Sequence, residues 1–106
     1  MFFELIKGNE YKDTINFETA KTIARWIKEH YPNVSLYIVG SVLKPDMIHP
    51  GSDIDFVIHE VDEIAYEELI KKIRQYFPGI NVDIRRMEEL DVYTQQKHQR
   101  RGYKVL

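Results

Sequence analysis

The stretch VGSVLKPDMIHPGSDIDFVI, Val39 to Ile58, joins a Gly-Ser pair to an apolar run headed by two aspartates. Upstream, VSLYIV (Val34 to Val39) is rich in β-branched and aromatic residues, which predicts a strand that ends at Gly40-Ser41. DIDFVIH (Asp53 to His59) predicts a second strand. Strand side chains alternate between faces, so Ile54, Phe56 and Ile58 share one side while Asp53, Asp55 and Val57 share the other. Alternate carboxylates at the head of the most hydrophobic strand either face water or hold something positive. Between the two strands the sequence predicts a short helical turn after Gly40-Ser41, then a loop at Pro45, His49, Pro50 and Gly51.

The flanking segments supply helices. Asn16 can cap a helix whose apolar face is Phe17, Ala20, Ile23, Ala24, Ile27 and Tyr31, ended by Pro32. A second runs from about Asp62 to Phe77, with Tyr66, Leu69, Ile70, Ile73 and Phe77 as its stripe and Pro78-Gly79 as its stop. INVDIRR (Ile80 to Arg86) predicts a third strand, about Asp91 to Arg101 a third helix ended by Gly102, and YKVL a short closing strand. The opening segment reads as a strand or hairpin turning at Gly8-Asn9. This order predicts an α+β domain of two layers, a small mixed sheet with helices packed on one face.

At 106 residues the chain is expected to be one domain, 1–106, with residues 1–15 as an N-terminal extension. An apolar share of 43% and a charged share of 30% are ordinary for a globular protein. The net charge of −2 gives no basic field for bulk nucleic-acid or membrane binding. Without cysteine there is no disulfide and no thiolate zinc site. No apolar run approaches the ~20 residues of a membrane span, and MFFELIKGNE does not read as a secretory signal, so the expected location is the cytoplasm.

The third strand adds a carboxylate. Ile80, Val82 and Ile84 share one face, leaving Asn81, Asp83 and Arg85 on the other. If the second and third strands are neighbours, Asp53, Asp55 and Asp83 emerge on the same side. Three clustered carboxylates raise one another's pKa unless a cation neutralises them, and magnesium typically takes a few carboxylates plus substrate phosphates. Gly40-Ser41 at a strand end offers backbone N–H groups and a hydroxyl to an anion. A phosphate cradle beside a divalent-metal site describes a site for a nucleoside triphosphate with magnesium. Each element also has a plainer reading, as solvated charge or ordinary turn, and only their combination is specific.

Gly40-Ser41, eleven intervening residues, Asp53-Ile54-Asp55 and a later Asp83 resemble the signature of the polymerase-β nucleotidyltransferase superfamily. Within it the chain is most similar to the minimal nucleotidyltransferases, from about Phe17 to the C-terminus. The resemblance implies the nucleotidyltransferase fold and transfer of a nucleoside monophosphate, with AMP from ATP as the family's habit, to an acceptor hydroxyl. It implies that Asp53 and Asp55 bind two magnesium ions, that Asp83 completes the site of the metal activating the hydroxyl, and that Gly40, Ser41, Lys44 and Ser52 bind nucleotide. The family often carries Arg-Gly after Gly-Ser, where this chain reads VLKPD, and its spacing to the first aspartate is about one residue shorter.

Minimal nucleotidyltransferases are typically paired with a small helical HEPN-domain protein, an RNA-cleaving toxin that they neutralise by binding or by AMP transfer to a tyrosine. The resemblance therefore implies an antitoxin of such a pair. The altered loop keeps a non-catalytic binding module of the same fold as the alternative, alongside transfer to a small molecule or an RNA end. The basic QQKHQRRGYK segment suits a helix C-terminus, or a phosphate contact. Trp26 is expected at the core edge, His49 in solvated loop, and His30, His59 and His98 lack metal-like spacing.

Overall fold

The computed structural model describes residues 15–44 and 53–106. The predicted opening hairpin at Gly8-Asn9, the loop residues Pro45, His49, Pro50 and Gly51, and Ser52 lie outside the described residues. In chain order the elements are α1 (Phe17–His30), β1 (Ser35–Val39), a 3-10 turn (Gly40–Leu43), β2 (Ile54–His59), α2 (Glu63–Tyr76), β3 (Val82–Arg86), a second 3-10 turn (Met87–Glu89), α3 (Val92–Arg101) and β4 (Tyr103–Val105).

Each helix starts where a short polar side chain can accept a free N–H. Asn16 accepts from Thr19 N–H, Asp62 from Ala65 N–H and Asp91 from Thr94 N–H. The strands begin one or two residues later than alternation alone suggests, because ladder pairing starts only where a neighbour is present. The turn at Met87–Glu89 follows β3 directly, with the Leu90 N–H bonded to the Met87 carbonyl.

The four strands lie in the order β3-β2-β1-β4. β1 pairs antiparallel with both β2 and β4, while β2 and β3 run parallel. A parallel pair needs a crossover, and α2 is that crossover. The sheet is therefore mixed, as expected, and this is an α+β fold, with three α-helices among the described residues.

One face of the sheet is buried under α1 and α2. Leu36, Ile38, Ile54, Phe56, Ile58 and Ile84 pack there against Ala20, Ile23, Ala24, Ile27, Leu69, Ile73 and Phe77. Tyr66 of α2 donates a hydrogen bond to the Ile84 carbonyl, tying that helix to β3. Trp26 is buried at the core edge, edge-on to Phe77 and stacked at a tilt on His30. The opposite face carries a smaller cluster of Val39, Val57 and Met87, bordered by Tyr37 and Leu90. Val57, grouped by alternation with the aspartates, is thus buried too, because Met87 of the second 3-10 turn covers it.

Ile38 is fully buried at the centre of the larger cluster. Its truncation, Ile38→Ala, removes apolar contacts that the surroundings cannot refill, and should cost about 2–5 kcal/mol by urea unfolding.

Candidate active site

The parallel register decides which carboxylates meet. Asp55 of β2 stands directly beside Asp83 of β3, and Ile54 beside Val82. Asp53 lies two residues before Asp55 at the mouth of β2, on the same face by alternation. On the other side Asp55 is directly opposite Val39 of β1, the residue before Gly40. The sequence-derived triad and the Gly-Ser turn are therefore gathered at one end of the sheet.

Gly40 opens the 3-10 turn with a φ of +83°, a left-handed conformation that favours glycine. A Cβ added there would lie 2.5 Å from Asp55 Oδ2. The carboxylate of Asp55 is thus turned underneath the Gly40 backbone, and no larger residue fits between them. Ser41 is half-buried and begins the turn's hydrogen bonding, its carbonyl accepting from Lys44 N–H. Lys44 is exposed at the end of the turn.

Burial pushes the Asp55 carboxyl above its ordinary value, and the negative charges of Asp83 and then Asp53 push it further; Arg85 opposes them. This is what closely spaced carboxylates do in the absence of an adequate counter-charge. Part of that charge comes from Arg85, whose Nε is 3.1 Å from Asp83 Oδ2. With Asp83 turned toward Arg85, no three His, Asp or Glu side chains among the described residues stand as a ready ligand set. The donor chemistry still fits a hard divalent cation: three carboxylates at one sheet end, one whose pKa burial and its neighbours raise and one paired with an exposed guanidinium.

Two groups beside the site were not singled out from the sequence. The sequence places Arg85 only on the aspartate face, and its pairing depends on a rotamer that no pattern specifies. His98 of α3 is the other. It lies close enough to Arg85 for that cation, after burial and Lys97, to hold its pKa below the usual imidazole value. The final turn of α3 packs on β1, where a Cβ at Gly102 would meet Val39 Cγ1 at 3.1 Å. His30 and His59 are engaged elsewhere, with the Trp26 carbonyl and Glu88.

A sequence model of the nucleotidyltransferase domain family matches residues 20–104. Among solved structures, the chain is similar to a chain of the crystal structure of the toxin–antitoxin MntA-HpeT, in a variant with two aspartates changed to glutamate. The TM-score is 0.59 at 19% identity, over 82% of this chain and 71% of that one. At that identity the likeness is one of fold. None of the curated proteins is significantly similar.

Two outcomes are expected of the site without ligand. Gly40→Ala should cost about 1–2 kcal/mol for the left-handed backbone, with the Asp55 clash in addition, read by thermal unfolding. Asp55→Asn should unfold at higher temperature than wild type in EDTA at neutral pH. The sign follows from the raised pKa: stability attached to Asp55 is greatest below its unfolded pKa and is lost as pH rises through the folded value. The gap between variant and wild type should therefore close on acidification.

Proposed function

Because this chain belongs to the nucleotidyltransferase domain family, we propose that it transfers AMP from ATP to a hydroxyl group. The acceptor in this reading is a tyrosine of a small helical HEPN-type partner, so that the chain acts as the antitoxin of a toxin–antitoxin pair. The observation that carries the enzymatic part is the Asp55–Asp83 register, with the Asp55 carboxylate turned under Gly40. It puts a glycine backbone suited to phosphate next to carboxylates suited to magnesium. The partner rests on the fold likeness to a chain from a toxin–antitoxin structure. Among the described residues no helix is long and apolar enough to cross a membrane, which suits a substrate met in water.

In this reading Asp53, Asp55 and Asp83 would hold two magnesium ions, which would supply positive charge for the triphosphate and for the attacking and leaving oxygens. Gly40 and Ser41 bind the outer phosphates through backbone N–H groups and the hydroxyl, with Lys44 and Ser52 adding contacts. The acceptor oxygen attacks the α-phosphorus in line, an O–P bond forms, and the bond to the departing pyrophosphate breaks. Asp83 takes the acceptor proton. Arg85 has to release Asp83 as this happens, and its free guanidinium then lies beside the anionic substrate.

The second reading is a binding module that blocks its partner by contact alone. It is favoured by the Arg85–Asp83 ion pair and by Lys44-Pro45 where the family often has Arg-Gly.

Incubation with ATP, magnesium and a HEPN-type protein, followed by intact-mass measurement, separates the two. Transfer predicts a gain of one or more AMP groups on the partner. Asp53→Asn, a change at an exposed residue, should lower the transfer rate at least about a hundredfold without lowering Tm. Neutralisation with no mass change favours the binding module, and labelled triphosphates offered with RNA or small alcohols test the remaining acceptors.

A further inference from the structure

A cleft of about 410 Å³ between α2 and β3 opens onto Asp53 and Asp83 and so belongs with the candidate active site. The surface that the site leaves unused is on α3. This helix has no buried residue, and the half-buried Thr94, Gln95 and His98 mark its side toward the sheet. It runs from the turn after β3 to β4 at the opposite edge, so it crosses the face that α1 and α2 leave open. On its outer side Tyr93, Gln96, Lys97, Arg100 and Arg101 follow the i, i+3, i+4, i+7, i+8 spacing of one stripe, and all are exposed. Lys104 of β4 continues the charge. It is in register with Tyr37, which borders the Val39–Val57–Met87 cluster on that same face. Among the described residues, the side chains of Lys97, Arg100, Arg101 and Lys104 have no ion pair or hydrogen bond. Lys21, Lys72 and Arg86 are each paired with a glutamate. From Tyr93 to Val105 the sequence has four Lys or Arg residues and no carboxylate.

We infer that this stripe, extended by Lys104, is a docking surface for single-stranded RNA. The inference does not need the transfer reading. Cations three and four residues apart on a helix are close neighbours, so Lys97, Arg100 and Arg101 form one patch that a phosphodiester chain can follow. Tyr93, 72% exposed, offers a ring on which an unpaired base can stack. A base held inside a duplex has no free face, which selects the single strand. Gln96, beside Tyr93 and Lys97, presents an amide that can donate to and accept from a ribose 2′-hydroxyl, the group that distinguishes RNA from DNA. The helix dipole accounts for cations in the last turn of α3, but not for Lys104 beyond the helix or for an exposed tyrosine on the same stripe. An acidic protein is the poorer occupant. Gln96 to Arg101 contains no apolar side chain to form the centre of a protein interface, whereas nucleic-acid interfaces are polar and positively charged. The net charge of −2 gives no general basic field, so the docking is confined to this stripe.

The test is fluorescence anisotropy of the full chain with a labelled single-stranded RNA of about a dozen nucleotides, in EDTA and without ATP. Saturable binding is expected at low salt. Contacts from the four cations predict a loss of affinity of about fiftyfold between roughly 50 and 200 mM salt. Arg101→Gln or Lys104→Gln should each reduce that loss to roughly twentyfold, for one phosphate contact fewer. Tyr93→Ala should weaken binding about fivefold or more with the salt dependence unchanged, and Tyr93→Phe should retain it. Gln96→Ala should narrow the preference for RNA over DNA of the same sequence. Lys71→Gln, at an exposed position of α2 away from the stripe, should change neither affinity nor salt dependence. The inference is overturned by an absence of saturable binding, or by wild-type salt dependence in both the Arg101 and Lys104 variants. Equal affinity for DNA or for duplex RNA overturns it too. So does an oligoglutamate of equal charge that displaces the RNA as well as unlabelled RNA does, a result that would assign the stripe to an acidic protein.

Discussion

The parallel pairing of β2 with β3 sets Asp55 beside Asp83, and much of the molecule follows from tolerating that contact. Two carboxylates in adjacent register, with Asp53 at the strand mouth, repel one another across a partly desolvated sheet end. A domain this small keeps them there because the other face of β2 is apolar and buried. Ile54, Phe56 and Ile58 are buried under α1 and α2, and slipping β2 by one residue to separate the charges would turn those three side chains to the opposite face. The core therefore enforces the repulsion, and the repulsion makes the site receptive to cations.

The same constraint gives Gly40 and Arg85 their roles. Asp55 escapes some repulsion by turning under Gly40, which requires a residue without a side chain and with a left-handed backbone. Asp83 escapes by pairing with Arg85, two residues along the same strand face. One escape is built into the backbone and the other is a surface ion pair of small strength, easily exchanged for a stronger partner. The folded domain can thus hold these carboxylates close together, and the proposed function has a divalent ion replace both escapes.

Much of this was legible in the sequence because it depends on near neighbours. The helix caps at Asn16 and Asp62, the stop at Pro32 and the alternation through Asp53 to Ile58 are local patterns, and the structure reproduces them within two residues. The buried aspect of Val57 was not legible, since it depends on Met87 arriving from a later turn. Nor was the pairing of Arg85 with Asp83, a matter of side-chain rotamer. The α2–β3 cleft was hidden as well: Ile70 reads only as part of the helix stripe, and nothing local says that it faces the outermost strand.

The sequence by itself determined where strands and helices form, which side chains share a face, and that Asp53, Asp55 and Asp83 have the phase to meet. These depend on a period of two or of 3.6 residues and on caps, which are properties of a few consecutive residues. Only the tertiary structure decided that β2 and β3 are parallel neighbours, that β4 returns to the far side of β1, and that β3 is left at the edge beside α2. Those choices depend on which strand edges pair once the apolar faces are buried, and so on contacts between residues far apart in the chain. The triad was written locally as a possibility of phase, and the register of one parallel pair set Asp55 beside Asp83.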